Sequence, residues 1–366
     1  MRTNEQGHPS VKQARSSPGA EDAGPIAFFS AAYRAFQRAE QAVGGPVDRF
    51  YIIGGYPIRL RFAGPALIPF IAPALEHLAA RPNPAPALTI CLWDSASTLT
   101  KMPPCPWATD DYIARGEVRG YNDEHIHTAF YLGSGILNML DTTLNVAILW
   151  IRDASLIPYY ETAAPLRTIL HWWMRDHERQ FVHAAAVGTP RGCVLLAGKG
   201  GSGKSTTTLA CLPSELLYVG DDYVLLSRQP TPFVYSLYNS AKLDADHIQR
   251  LPHLLPVVSN SERLDMEKAL IFLHDHYPHK VAKGFPVRAI LLPRFTGLLG
   301  TTLKKASAAA SLTALAPSTI FQLPGAGQEA FQNLASFVRQ VPSYVLELGT
   351  DLTMIPEVVL SLLSGD

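Results

Sequence analysis

The residues with the clearest chemical capacity form one run, Gly198-Lys199-Gly200-Gly201-Ser202-Gly203-Lys204-Ser205-Thr206, which directly follows the apolar Val194-Leu195-Leu196-Ala197. The run is a full match to G-x-x-x-x-G-K-[ST], the phosphate-binding loop pattern. Glycines at 198, 200, 201 and 203 open backbone angles closed to other residues, so successive N–H groups can turn inward toward phosphate oxygens. Lys204 would place a cation on the β- and γ-phosphates, and Ser205 would offer its hydroxyl to Mg²⁺. A helix starting near Ser205 would add its positive end. The context is right: a strand precedes the loop, and the helix-compatible residues 205–212 follow it and stop at Pro213. Residues 198–206 are therefore read as a nucleotide site.

Shortly beyond it lies Leu216-Leu217-Tyr218-Val219-Gly220-Asp221-Asp222. Acids at the carboxyl end of a strand beside such a loop can reach its metal. Two acids can divide the work, one in the metal's shell and one free to take a proton from an attacking hydroxyl. The plain alternative is a strand-end turn closed by Asp side chains. Upstream, His183 stands alone in Phe181-Val182-His183-Ala184-Ala185-Ala186-Val187, where an imidazole by itself reads as structural. Lys242, Lys268, Arg288 and Arg294 could each supply a further cation to a transferring phosphoryl group, although surface charge is the commoner fate of any one. The cluster His274-Asp275-His276-Tyr277-Pro278-His279 has metal-ligand residue types but no Cys, and reads as a solvated turn.

These groups must be held by a scaffold. Residues 1–25 are polar and aperiodic, a disordered tail by composition. Residues 26–160 read as a mixed α/β domain with antiparallel pairing, its strands at 50–53, 58–62, 88–93 and two runs within 127–151, its helices near 29–42 and 67–80. A bridging helix is expected over 161–180, with Trp172 and Trp173 packed as core. Residues 181–366 read as an α/β domain of alternating strands and helices around the loop, closed by helices at 328–340 and 355–363.

Composition limits the partners. With 31 basic and 31 acidic residues the net charge is zero, so no global field draws in nucleic acid or a membrane surface. Four cysteines, Cys91, Cys105, Cys193 and Cys211, are never spaced C-x-x-C and read as reduced. No stretch reaches 18 uninterrupted apolar residues, and the first residues lack the apolar core of a secretory signal. The expectation is a soluble, cytoplasmic protein.

The histidine-bearing strand, the glycine-rich loop, the short helix and the Asp pair follow one another with His183 placed 21 residues before Lys204 and Asp222 placed 18 after it. In that order and spacing the chain resembles the catalytic domain of HPr kinase/phosphorylase and the wider HPr-kinase-like group. The likeness is specific over 181–228 and looser beyond, at Ser240-Ala241-Lys242-Leu243, Ala316-Pro317-Ser318-Thr319 and Phe321-Gln322-Leu323-Pro324-Gly325. It implies an α/β catalytic domain of that type behind the N-terminal one, with Asp222 as proton acceptor, Asp221 near the metal, Ser205 a Mg²⁺ ligand and His183 near the γ-phosphate. Two departures stand out. Gly203-Lys204-Ser205-Thr206 replaces the Gly-Lys-Ser-Glu of the bifunctional enzymes, and the Glu- and Asn-bearing segment they use for dephosphorylation has no counterpart, so neither phosphorylase activity nor HPr as substrate is implied. Relatives with this simpler pattern include kinases of peptide biosynthesis clusters that phosphorylate a serine hydroxyl on a precursor peptide.

The resemblance thus implies an ATP- and Mg²⁺-dependent kinase acting on a serine-type hydroxyl of a protein or peptide, and it allows a homo-oligomer. Two other readings compete. Lys199-Gly200-Gly201-Ser202-Gly203-Lys204-Ser205 also fits the loop of deviant Walker ATPases, but those place the loop near the start of the chain and the next acidic motif farther on. A non-kinase ATP-binding or ATPase regulatory module would keep the same loop.

Overall fold

A computed structural model of the protein describes residues 24–322, 324 and 327–365. The expected disordered tail lies outside the described residues except for 24 and 25, and Pro25 already starts a helix; Leu323 and Gly325 also lie outside. That first helix, Pro25–Ala42, buries Phe28, Phe29, Ala32, Ala35, Phe36 and Ala39, the three- and four-residue spacing of an amphipathic helix.

It lies on a mixed sheet of six described strands. β1 (Pro46–Ile53) and β2 (Tyr56–Ala63) form a hairpin whose two turn residues, Gly54 and Gly55, both have positive φ, the geometry a tight two-residue connection demands. β3 (Leu88–Asp94), β4 (Ile126–Tyr131), β5 (Ile136–Asp141) and β6 (Val146–Ile151) complete the order β1-β2-β3-β6-β5-β4. Its centre departs from the antiparallel expectation, because β2–β3 and β3–β6 are parallel. Between β2 and β3 the chain crosses over through the short helical segments Ile68–Ile71 and Pro73–Leu78, which bury Ile71, Leu75 and Leu78 against the sheet. Every residue of β5 is buried. Leu137 and Met139 join the core under the first helix, while Ile136 and Leu140 face the opposite core.

The single helix expected over 161–180 is two helices, Tyr159–Ala163 and Arg167–Arg175, parted at Ala164-Pro165-Leu166, where Ala164 is non-helical, Pro165 has no N–H to continue the hydrogen-bond run and Leu166 adopts φ 61. Trp172 and Trp173 are buried, in one core that also takes Leu60 and Ile90 from the first sheet and Phe181, Tyr223 and Leu225 from the second.

The second sheet contains β7 (Gln180–Val182), β8 (Ala185–Thr189), β9 (Gly192–Leu196), β10 (Leu217–Gly220), β11 (Val224–Ser227), β12 (Phe233–Tyr235), β15 (Gly284–Phe295), β16 (Thr302–Ala306) and β17 (Ser343–Leu348). A separate antiparallel pair, β13 (Ser240–Leu243) and β14 (Ala269–Phe272), stands beside it. The nine strands run β10-β8-β9-β15-β12-β11-β7, with β17 on β15 and β16 on β17. A steady alternation of strands and helices is absent here: an antiparallel hairpin, β8–β9, leads into the loop, and helices cover the faces in pairs. Residues 184, 186, 193 and 195 face the helices Ala308–Ile320 and Gln328–Gln340, while 185, 187, 194 and 196 face Lys204–Ala210 and Met354–Ser364. β9, β15 and β17 are mutually parallel, so their carboxyl ends share one edge, and the glycine-rich loop leaves from it.

Buried polar groups also join the two sheets. His77 Nε2 lies 2.7 Å from Ser236 Oγ, and Asn239 Nδ2 donates to the Pro73 carbonyl at 2.7 Å. Burial pulls His77 and His171 from the ordinary 6.5 down to about 3, so both imidazoles are neutral in the fold. Unfolding lets them take a proton below pH 6.5, so the stability that depends on neutral histidine is full above 6.5 and declines as pH falls toward 3. At pH 5 the expected loss is about 2 kcal/mol for each, read as a falling urea midpoint between pH 7 and 5. A flat profile over that interval would contradict it.

Among the described residues no helix is long and apolar enough to cross a membrane. The four cysteines are unpaired.

Candidate functional site

β9 delivers the chain into residues 198–203 and the helix Lys204–Ala210 receives it. Gly201 and Gly203 sit at φ 76 and 97, in the left-handed region that glycine enters without strain. A Cβ on Gly203 would also lie 2.9 Å from Leu348 Cδ1, whereas Gly200 and Gly201 have open space where a side chain would be. Lys204 is buried and folds back over its own loop, Nζ donating to the carbonyls of Gly198 at 2.7 Å and Lys199 at 3.3 Å. Burial lowers its pKa, opposed by Asp221 and Asp222. Ser202 Oγ is buried with no hydrogen-bond partner among the described residues.

The acids follow β10 in a tight turn, with Asp222 at φ 73, a left-handed angle that Asp tolerates better than most residues. Asp221 is buried. Its Oδ1 accepts from Ser205 Oγ at 3.0 Å, and its Oδ2 from the backbone N–H of Lys242 at 3.4 Å. Asp222 has two close partners, His183 Nε2 at 2.9 Å from Oδ1 and the Lys242 ammonium, an ion pair, at 2.7 Å from Oδ2. His183 is not inside a strand. It occupies the corner where the chain leaves β7 for β8, and its backbone N–H donates to Thr319 Oγ1 at 3.2 Å. From that corner the imidazole reaches Asp222.

The two carboxylates therefore live in different fields. Burial opposes ionisation of Asp222, yet Lys242 and His183 outweigh it and hold that carboxyl far below the usual range. Asp221 moves the other way, raised by burial and by the neighbouring charge of Asp222, with Ser205 and Lys204 opposing.

One cleft of about 160 Å³ brings together His183, Gly200, Gly201, Gly203, Lys204, Ser205, Thr206, Asp221 and Asp222. Gly198, Lys199 and Ser202 do not line it, and Lys199 is exposed. Three further residues on its wall, Tyr159, Asp244 and His247, carried no sequence signal for the site, since they come from separate segments and match no pattern, while Lys242 and Lys268, two of the candidate cations, also line it. Of the four candidate cations, Lys242 grips Asp222. Lys268 Nζ lies 3.1 Å from Asp244, Arg294 pairs with Glu347, and Arg288 Nε donates to the Arg191 carbonyl at 3.0 Å.

The His274 cluster is not gathered. His276 and His279 are exposed, and among the described residues no three His, Cys, Asp or Glu side chains are placed to hold a metal. Ser205 and Asp221 offer two hard oxygen donors side by side, which fits Mg²⁺, an ion commonly held by one or two carboxylates with water and substrate phosphates filling the remaining positions.

No protein-family model matches the chain, and no curated protein matches it. Among solved structures, the HPr(Ser) kinase/phosphatase from Coxiella burnetii is similar at 12% identity over 51% of this chain and 95% of that chain, with a TM-score of 0.29. A superposition that loose carries no argument about this chain.

Proposed function

We propose that the cleft binds ATP with Mg²⁺ and that the protein transfers the γ-phosphoryl group to a serine-type hydroxyl of a protein or peptide partner. In this proposal residues 181–366 form the catalytic domain and 26–160 a separate one. The observation that carries the reading is the convergence on one cleft of a buried lysine, a hydroxyl–carboxylate pair and a second carboxylate held by histidine and lysine. Each has a distinct task in phosphoryl transfer, where catalysis is mostly positioning and charge neutralisation.

The N–H groups of the loop and Lys204 would cradle the phosphates, Lys204 exchanging its carbonyl contacts for phosphate oxygens. Ser205 and Asp221 would hold Mg²⁺, which when bound neutralises charge on the β- and γ-oxygens. Asp222 would orient the acceptor hydroxyl. As the oxygen of that hydroxyl bonds to the γ-phosphorus, the bond from phosphorus to the β,γ-bridging oxygen breaks, ADP leaves with its electrons, and the hydroxyl proton passes to Asp222. A carboxylate held so strongly ionised is a weak base, so its main contribution is alignment, with proton transfer late. His183, bonded to the other oxygen of Asp222, keeps that carboxylate turned toward the cleft.

The test is incubation with ¹⁸O-labelled ATP, Mg²⁺ and candidate serine-bearing peptides and proteins, followed by mass spectrometry. A phosphorylated acceptor carrying the label is expected. Phosphate release with no phosphorylated product would reject the kinase and assign the non-kinase ATPase class instead.

A further inference from the structure

Three lysines, Lys204, Lys242 and Lys268, line the same cleft, and each is satisfied by the protein itself. Lys204 sits on the carbonyls of its own loop, while Lys242 Nζ sits 2.7 Å from Asp222 Oδ2. Because His183 holds Oδ1 at 2.9 Å, each oxygen of Asp222 already accepts one bond, and an acceptor hydroxyl would share an oxygen with one of these partners. Departure of one partner would leave an oxygen wholly to that hydroxyl.

Lys242 is the one built to move. Its backbone is fixed twice, by pairing with Leu270 across β13–β14 and by its N–H on Asp221 Oδ2. A flexible four-carbon stem therefore pivots on a rigid base beside the carboxylate placed nearest Ser205. The His183 ring, by contrast, is buried in a corner 5.6 Å from the Tyr223 ring and has two rotatable bonds. No other candidate cation is as well placed, since Arg294 and Arg288 are outside the cleft and Lys268 pairs with Asp244 at its exposed rim.

We propose that the Lys242 ammonium changes partner during the cycle, neutralising Asp222 before the triphosphate enters and moving onto the γ-phosphoryl group once it is bound. The exchange would release Asp222 Oδ2 for the acceptor hydroxyl and put a second cation on the group being transferred. A dianionic terminal phosphate is the stronger competitor for an ammonium than one carboxylate oxygen. The nucleotide would then have to enter first. This inference rests on the nucleotide reading above, and it adds which cation serves and when.

The experiment removes the resting partner so that the two roles separate. In an Asp222→Asn background Lys242 has no carboxylate there to neutralise. If it contacts the γ-phosphate, adding Lys242→Met should weaken ATP binding about tenfold or more and leave ADP binding within about twofold, by titration calorimetry with Mg²⁺. Lys242→Arg in the same background should keep the preference for ATP, and melting curves of all variants check that the fold is intact. Equal changes for ATP and ADP, or none for either, would overturn the exchange while leaving the nucleotide site standing. Failure of the unaltered protein to bind ATP at all would overturn both.

Discussion

Replacing Asp222 by Asn should cut phosphoryl transfer by about 10²- to 10⁴-fold, the range typical of losing a positioned proton acceptor. ATP affinity should hold or rise, because a negative charge beside the triphosphate is gone. Asn is the right substitution on structural grounds. It keeps the shape, and it also tolerates the left-handed φ of 73, where Ala would add strain unrelated to chemistry. Single-turnover transfer to an identified acceptor, together with ATP titration, separates the two effects. Transfer at the wild-type rate would remove Asp222 from the proposed mechanism.

The second large effect is expected at Lys204. Lys204→Met preserves most of the side-chain volume in a buried position but removes the cation, and nucleotide turnover should fall by about 10³-fold or more. Affinity for ATP should drop as well, in contrast to Asp222→Asn. The carbonyls of Gly198 and Lys199 also lose their donor, so a modest fall in melting temperature should accompany the change. If ATP affinity and turnover both persist, the glycine-rich loop is not the nucleotide site. The opposite signs of the two affinity changes make the pair of variants more informative than either alone.

Much of the molecule was legible beforehand where the signal is local. The loop and its flanking strand and helix follow from glycine placement and from an apolar run stopped by a turn. The strands expected at 50–53, 58–62 and 88–93 and the closing helices fall close to their expected bounds for the same reason, since periodicity of burial is written along the chain, whereas the two runs expected within 127–151 are three strands, β4, β5 and β6. Three expectations failed where distant segments decide. The centre of the first sheet is parallel because a crossover through 68–78 packs its apolar side against it, and nothing in the individual strands encodes that choice. The long helix over 161–180 is cut at 164–166, where Pro165 marks a break in the sequence but the left-handed turn at the apolar Leu166 has no local signal. His183 reads as a strand residue and sits instead in the corner between two strands.

The same division runs through the site. Residue type and spacing along the chain were enough to nominate Lys204, Ser205, Asp221 and Asp222, because the phosphate loop and the strand-end acids are short-range patterns with fixed offsets, whereas His183 by itself read as structural and was pointed to only by the family resemblance. Which of four scattered cations meets Asp222 was decided only by tertiary structure. β13 carries Lys242 to within 2.7 Å of that carboxylate, while Arg288 and Arg294, no less basic, are bonded elsewhere. Charge identity is a property of one residue, but the distance between two charges from separate strands depends on how the whole sheet and its neighbours pack, and electrostatic effects follow the distance.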